Sequence, residues 1–251
     1  MNTNSCRLIL SAIFLSGNTL AGTMGSAVLQ QSDLTWLATL SAGSIWESAG
    51  TTQNLYLTPE IEKAYVANQS TRAVFDGEVV LGLQKRLSQT VHAQLGLAVG
   101  VASNAILSGV VWDDADPEFD NYTYRYSIQH THVAVKGKLL KDISFYGVTP
   151  YITGSLGVGF NRAYNFTNTP RLFEAVAFPD FTANTRATFT YTAGAGVQRA
   201  LNEHWQVGMG YEFADWGSSQ LGRAEGQNLN EGLSLNHLYT NGLLLSLTWI
   251  A

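Results

Sequence analysis

Eight stretches of this 251-residue chain alternate oily and polar side chains with a period of two, and together they fill most of the sequence beyond residue 33. That period belongs to β-strands with two unlike faces. The first, 34–46, sets Leu34, Trp36, Ala38, Leu40 and Ala42 against Thr35, Thr39 and Ser41. The others run over 73–86, 90–102, 122–139, 149–166, 185–200, 204–216 and 236–250. The fourth breaks parity: Tyr122, Tyr124, Tyr126 and Ile128 share one phase, Val133, Val135 and Leu139 the other. One extra residue flips a strand's faces, so a β-bulge is expected near His130.

The connections alternate in length. Those at 87–89, 140–148 and 201–203 are short; those at 47–72, 103–121, 167–184 and 217–235 are long. In an up-and-down meander all the long loops then emerge at one end. Short turns on one side and long loops on the other are the habit of outer-membrane barrels. A soluble barrel would alternate too, with its oily face inward. Two features speak for the opposite sense. Charged residues are only 13% of the chain, about half the share of roughly 25% usual in soluble domains, and the polar faces carry mostly Gly, Thr, Ser and Gln. Aromatic residues also gather at the strand ends, with aliphatic residues between. Trp36, Tyr151, Trp205 and Trp249 lie toward the short turns. Trp46, Trp112, Tyr122, Tyr124, Phe160, Tyr164, Phe189, Tyr211 and Phe213 lie toward the long loops. Two such belts match the two water–lipid interfaces. The expected fold is therefore all-β: an eight-stranded antiparallel transmembrane barrel over 28–251, with four long extracellular loops.

Residues 1–27 read as a secretory signal, with Arg7, the apolar run 8–15 and cleavage after Ala21 or Ala27. Cleavage would remove the only cysteine, Cys6, and with it any disulfide or thiolate chemistry. No other run is long and apolar enough for a membrane helix. A net charge of -5 without a dense basic patch speaks against nucleic acid.

On the polar faces, Asp76, Glu78, Arg86, His92, Arg125, His132, Lys136, Arg186 and Glu212 are candidates to pair inside the lumen, because a buried charge needs a partner. His130 and His132 invite a metal, but no third ligand is evident. The loop WDDADPEFDN, 112–121, is acidic, yet Phe119 stands where a calcium loop needs glycine, so solvated carboxylates are expected. No histidine is followed two residues on by serine, and there is no Asp-His pair, so no catalytic site, metal or cofactor is expected.

The chain resembles the OmpA-type and opacity-type small outer-membrane barrels. The likeness covers about 33–251 and rests on the strand pattern, VAVKGKLL at 133–140, VGMGYEFADWG at 207–217 and the alternating end LLLSLTWIA. It implies a surface-exposed barrel in the outer membrane of a Gram-negative bacterium. The implied partners are outer-membrane lipids including lipopolysaccharide, the barrel-assembly machinery, and a host or cell-surface ligand on the loops. The family's barrels usually end in an aromatic residue, where this chain has Trp249-Ile250-Ala251, and the family's separate peptidoglycan-binding domain is not expected here. A small porin-like channel and a lipid A-modifying enzyme are the alternatives to an adhesive surface protein.

Overall fold

The computed structural model describes residues 34–251 except 49, 144–146 and 174–175. The expected signal segment, 1–27, lies outside the described residues. In chain order the strands are β1 (Leu34–Glu47), β2 (Gln53–Thr58), β3 (Ile61–Ala67), β4 (Ala73–Arg86), β5 (Val91–Ala102), β6 (Ala105–Asp113), β7 (Asp120–Lys141), β8 (Val148–Pro170), β9 (Asn184–Ala200), β10 (Trp205–Asp215), β11 (Ser219–Gln220), β12 (Ser234–Leu235) and β13 (Tyr239–Ile250). A short 3-10 turn, Pro117–Phe119, precedes β7.

Eight of these strands close on themselves. The ring runs β1-β4-β5-β7-β8-β9-β10-β13, every neighbour antiparallel, and β13 returns to β1 along Leu37↔Ile250 to Glu47↔Thr240. Closure leaves no unpaired edge in the ring, which hydrocarbon demands. The oily parity faces out: Leu40, Leu81, Leu97, Val135, Leu156 and Leu245 are all exposed, Leu245 to 63%. The polar parity faces in: Thr39, Ser41, Glu78, Gln94, Ser155, Thr192 and Thr248 are buried. Such an inverted protein is stable only where its surroundings are apolar. The ring is a transmembrane β-barrel of the bacterial outer-membrane kind, with short turns at one end and long excursions at the other.

Those excursions are not simple loops. The connection 47–72 folds into the β2–β3 hairpin, and 103–121 contains β6. β7 and β8, with 22 and 23 residues, run far beyond the barrel rim. β6 continues along the upper part of β7 where β5 leaves off, and β3 and β2 add to β6. The result is a one-sided wall of sheet standing on the rim.

The bulge expected near His130 is absent. β7 keeps its even-numbered residues inward from Tyr122 to Leu140. The extra residues lie on its two neighbours instead. Val101 pairs with Thr131 and Ala105 with Ile128, so four steps on one side meet three on the other. On β8 the register slips between Arg125↔Thr167 and Ser127↔Tyr164, beside Asn165, whose φ is 52°. Both slips reverse the faces of the neighbours and leave β7 straight.

Four aromatic assignments change. Tyr122 and Tyr124 are buried on the inner face of the wall, not in a lipid belt. Trp112 sits on the outer face of β6 opposite Asp120, at the far end of the wall, eleven residues beyond Thr131 where β7 joins the barrel pairing. Tyr151 points into the lumen, because it has the opposite parity to the lipid-facing Ile152, Leu156 and Phe160. The remaining belt residues face outward: Trp36, Trp205 and Trp249 near the short turns, and Trp46, Phe160, Tyr164, Phe189, Tyr211 and Phe213 near the wall.

Candidate functional site

The barrel interior is divided into layers. At its middle, Lys136 from β7 reaches Glu78 of β4 at 2.7 Å and Glu212 of β10 at 2.9 Å. The ammonium thus ties together opposite sides of the ring. His132 adds a 3.3 Å contact from Nε2 to the other Glu78 oxygen, and Asp76 lies buried on the same face of β4. Below Lys136, Lys138 rests over the Tyr151 ring, 4.4 Å from its centroid. A cavity of about 50 Å³ lies among Glu78, Lys136, Lys138, Tyr151 and Glu212, room for little more than a water or two. Toward the short turns, paired glutamines follow, Gln94 to Gln84 at 2.8 Å and Gln198 to Gln206 at 2.6 Å.

Toward the wall the lumen closes. His130 lies parallel to Trp216, with ring centroids 4.4 Å apart, and its Nδ1 meets Asn161 Oδ1 at 2.7 Å. The Asn161 amide donates to the carbonyls of Trp216 and Ser218. Gly100 and Gly159 make room for these rings: a Cβ at Gly100 would collide with His132, and one at Gly159 with His130. Above them one apolar core fills the outer end. It joins Ile45, Val74, Ile128 and Ala214 at the rim to Trp216, Leu221, Leu233 and Leu238 of the last excursion. The core continues up the wall through Tyr65, Tyr122, Tyr124, Tyr126, Phe166 and Phe181. Tyr65, fully buried, meets Tyr124 edge-on at 5.5 Å and Phe181 at 5.6 Å. Burial pushes its phenol well above the usual tyrosine range.

Polar clasps hold the excursions to one another. Lys63 pairs with Asp113, its ammonium 4.3 Å from the Phe178 ring centroid and 5.1 Å from that of Tyr122. Asn121 donates to the same carboxylate at 2.7 Å. Gln53 of β2 exchanges hydrogen bonds with Ser234, and the backbone amides of Asn228 and Leu229 donate to the Leu57 carbonyl. The four excursions therefore form one packed extracellular head.

Of the expected lumen charges, the structure brings together Asp76, Glu78, His132, Lys136 and Glu212. His92 lies at the short-turn mouth, 3.0 Å from Asp142. Arg86 is exposed at the end of β4. Arg186 has the inward parity but stands above the rim, exposed and donating to Gln220 at 2.8 Å. Arg125 faces outward and is exposed, because its stretch of β7 belongs to the wall, whose outer face meets water. In the acidic stretch 112–121, Asp113 pairs with Lys63, Asp120 pairs with Arg171, and Asp116 accepts from the Glu118 amide.

Several pairs have no signal in the sequence, Lys63–Asp113 and Arg171–Asp120 among them, and one more stands at the rim. Asp215, at the end of β10, holds His237 Nδ1 at 2.7 Å. The two are 22 residues apart, and no spacing signals their meeting.

No family model matches this chain, and no curated protein does. Among solved structures it is similar to Neisserial surface protein A, at 10% identity over 85% of this chain and 96% of that one, with a TM-score of 0.45. It is similar to the outer-membrane protease OmpT from Escherichia coli, at 8% identity over 86% and 97%, with a TM-score of 0.46. It is also similar to the outer-membrane protein AlkL, at 13% identity over 94% and 97%, with a TM-score of 0.41. These identities are too low to match any side chain of this chain with theirs.

Proposed function

We propose that this outer-membrane barrel is a surface-recognition protein: a closed barrel that carries a preformed extracellular head. The observation behind this reading is the continuous apolar core from Ile45 and Ile128 at the rim to Tyr65 and Phe181 in the wall. A diffusion channel needs a wetted path, and that core lies across its outer end. A binding platform needs what the head has, sheet-borne surfaces held rigid before any ligand arrives. On this reading the band of exposed leucines and valines meets outer-membrane lipids including lipopolysaccharide. The assembly machinery inserts the strands, and the head meets a host or neighbouring-cell ligand without catalysing a reaction.

The test uses cells of a non-adherent strain displaying the protein. Attachment to epithelial cells or to sister bacteria is compared with a variant whose 53–67 and 219–235 segments are replaced by short Gly-Ser turns. The variant should still shift its gel mobility on boiling, as a folded barrel does, and should lose attachment. Planar bilayers containing the intact protein should stay silent. Equal attachment by the shortened variant, or steady channel openings by the intact protein, would sink the reading.

A further inference from the structure

A second surface suited to recognition lies outside the head core, at the barrel rim across the ring from β7 and β8, where the wall rises. A cavity of about 380 Å³ opens above the β1–β13 seam, between the bases of the first and last excursions. Its lining is polar and uncharged apart from one histidine: Ser48, Thr51 and Gln53 from the first excursion, and Ser234, Asn236, His237 and Tyr239 from the last and the start of β13. Gln53 and Ser234 are committed to each other. The side chains of Ser48, Thr51 and Asn236 make no hydrogen bond among the described residues, so their donors and acceptors are open to a guest.

His237 is held for that purpose. Both oxygens of the buried Asp215 carboxylate are occupied, Oδ1 by the Gly217 amide at 2.8 Å and Oδ2 by His237 Nδ1 at 2.7 Å. An ionised carboxylate only accepts, so Nδ1 carries the proton and Nε2 is left to the guest. The Asp215 side chain is 5% exposed and that of His237 is 56% exposed, a rigid base under an accessible ring. The imidazole lies parallel to Tyr239, with centroids 5.3 Å apart. From Tyr239 an aromatic run leaves the cavity and passes around the outer face of the rim, to Phe213 at 5.8 Å, two residues lower, then to Tyr191 at 6.4 Å and Phe189 at 6.2 Å, back toward the long-loop end.

Chemistry selects the guest. No lysine or arginine lines the cavity, and Asp215 offsets the one histidine, so an isolated phosphate finds little to hold it. Among the described residues no carboxylate lines the cavity itself, and Asp215 beneath it is buried with a hydrogen bond on each oxygen, so a cation meets no carboxylate wall. Uncommitted hydroxyls and a carboxamide beside parallel rings suit a pyranose, whose hydroxyls need donors and acceptors and whose C–H face packs on an aromatic ring. The height is that of the lipid headgroups: Trp46 of the outer belt pairs with Asn241, only two residues below Tyr239. A polar cavity that opens at the rim beside Tyr239 and Phe213, directly above the exposed Leu243 and Leu245 of β13, fits an amphiphile better than a free sugar. We propose that this cavity binds the sugar headgroup of a glycolipid in the protein's own outer leaflet, with its acyl chains passing Phe213 and lying along the exposed Leu243 and Leu245. The site does not depend on what the head binds.

The experiment places the purified full chain in phosphatidylcholine nanodiscs with ¹⁵N-labelled histidine. Rough lipopolysaccharide is titrated, against phosphatidylglycerol, a free glucosamine disaccharide and inorganic phosphate as separate arms. Lipopolysaccharide should shift the His237 Nε2 resonance and bind at least tenfold tighter than the other three. His237→Ala and Asn236→Ala should each weaken it roughly five- to tenfold, the worth of about one hydrogen bond. Ser48→Ala, the mildest change, should weaken it by about threefold, and all variants should keep the heat-dependent gel shift. Unchanged affinity in His237→Ala and Ser48→Ala would overturn the site. Equal binding of the free disaccharide would overturn the glycolipid assignment, and displacement by phosphate would overturn the saccharide chemistry. Cell attachment through the head can survive or fail in every one of these outcomes.

Discussion

The two halves of β7 carry opposite proteins on one ribbon. Below His130 the inward residues are His132, Lys136 and Lys138, and the outward ones Val133, Val135 and Leu139. Above it the inward residues are Tyr122, Tyr124, Tyr126 and Ile128, and the outward ones Thr123, Arg125, Ser127 and Gln129. The backbone does not turn over between them. What changes is the medium outside. Within the bilayer the outer face meets hydrocarbon, so grease goes out and polar groups must satisfy one another within. Beyond it the outer face meets water, and the wall must bury a core of its own. The same crossing occurs on β8, where Val158 and Phe160 face out and then Arg162, paired with Gln129, takes their place. The reversal therefore marks the membrane boundary on both strands at one height.

The largest expected effect lies in the barrel half. Lys136→Met removes the one ammonium between Glu78 and Glu212 and leaves two carboxylates buried without it. Stripping one partner from a buried ion pair costs about 3–5 kcal/mol. Urea unfolding in detergent micelles should show that loss, and most of it should return in the triple variant that adds Glu78→Gln and Glu212→Gln. A Lys136→Met barrel as resistant as the original would mean that the polar interior is not what holds the lower half together.

A cation moved along the outer face of β7 tests the boundary itself. Val135→Arg puts a charge among acyl chains and should cost about 2–4 kcal/mol, the usual figure near the bilayer midplane. Thr123→Arg makes the same change twelve residues up, on a face that already exposes Arg125, and should stay within about 0.5 kcal/mol. The measurement is the difference in unfolding free energy in lipid vesicles. Similar costs at both positions would erase the boundary that the reversal draws.

The reversal also explains which parts of the fold were legible in the sequence. The barrel strands were, because one medium on each side gives one clean alternation, as in β1 and β10. The upper half of β7 was misread because a single apolar exterior was carried past the point where it ends. Under that assumption only a bulge near His130 could restore the parity. β6 was lost among the loops because Ile106, Val110 and Trp112 on its outer face match Leu107 and Val111 within, which leaves no alternation to see. β3 hid for another reason: Lys63, a charge, occupies an inward position beside Tyr65. Tyr151 was legible and missed, since the parity of Ile152 and Leu156 already put it inside. At the site, the polar membership of Glu78, Lys136 and Glu212 showed in the alternation. Their meeting across the lumen did not, because it depends on registers that no single strand encodes. Arg125 was assigned to the lumen by the same error that placed the bulge.

A small effect at neutral pH belongs to the core of the head, and it grows in alkali. The Tyr65 hydroxyl is buried without a hydrogen-bond partner among the described residues. Tyr65→Phe keeps the ring against Tyr124 and Phe181 and removes an unpaired polar group, so the head should change by no more than about 1 kcal/mol, in the stabilising direction. Burial holds the folded phenol protonated far above its usual range, whereas the unfolded chain ionises it near pH 10. The head's stability from this residue is therefore intact below about pH 10 and falls as pH rises, by about 1.4 kcal/mol for each unit until the folded phenol itself ionises. Hydrogen exchange of β3 and β6 followed from pH 9 to 11.5 should show the original head opening at lower pH than Tyr65→Phe. The barrel strands β1 and β13 should be equally protected in both proteins. Identical alkaline opening of the two heads would mean that Tyr65 is not sealed in a core, and the wall would lose the apolar interior that sets it apart from the barrel.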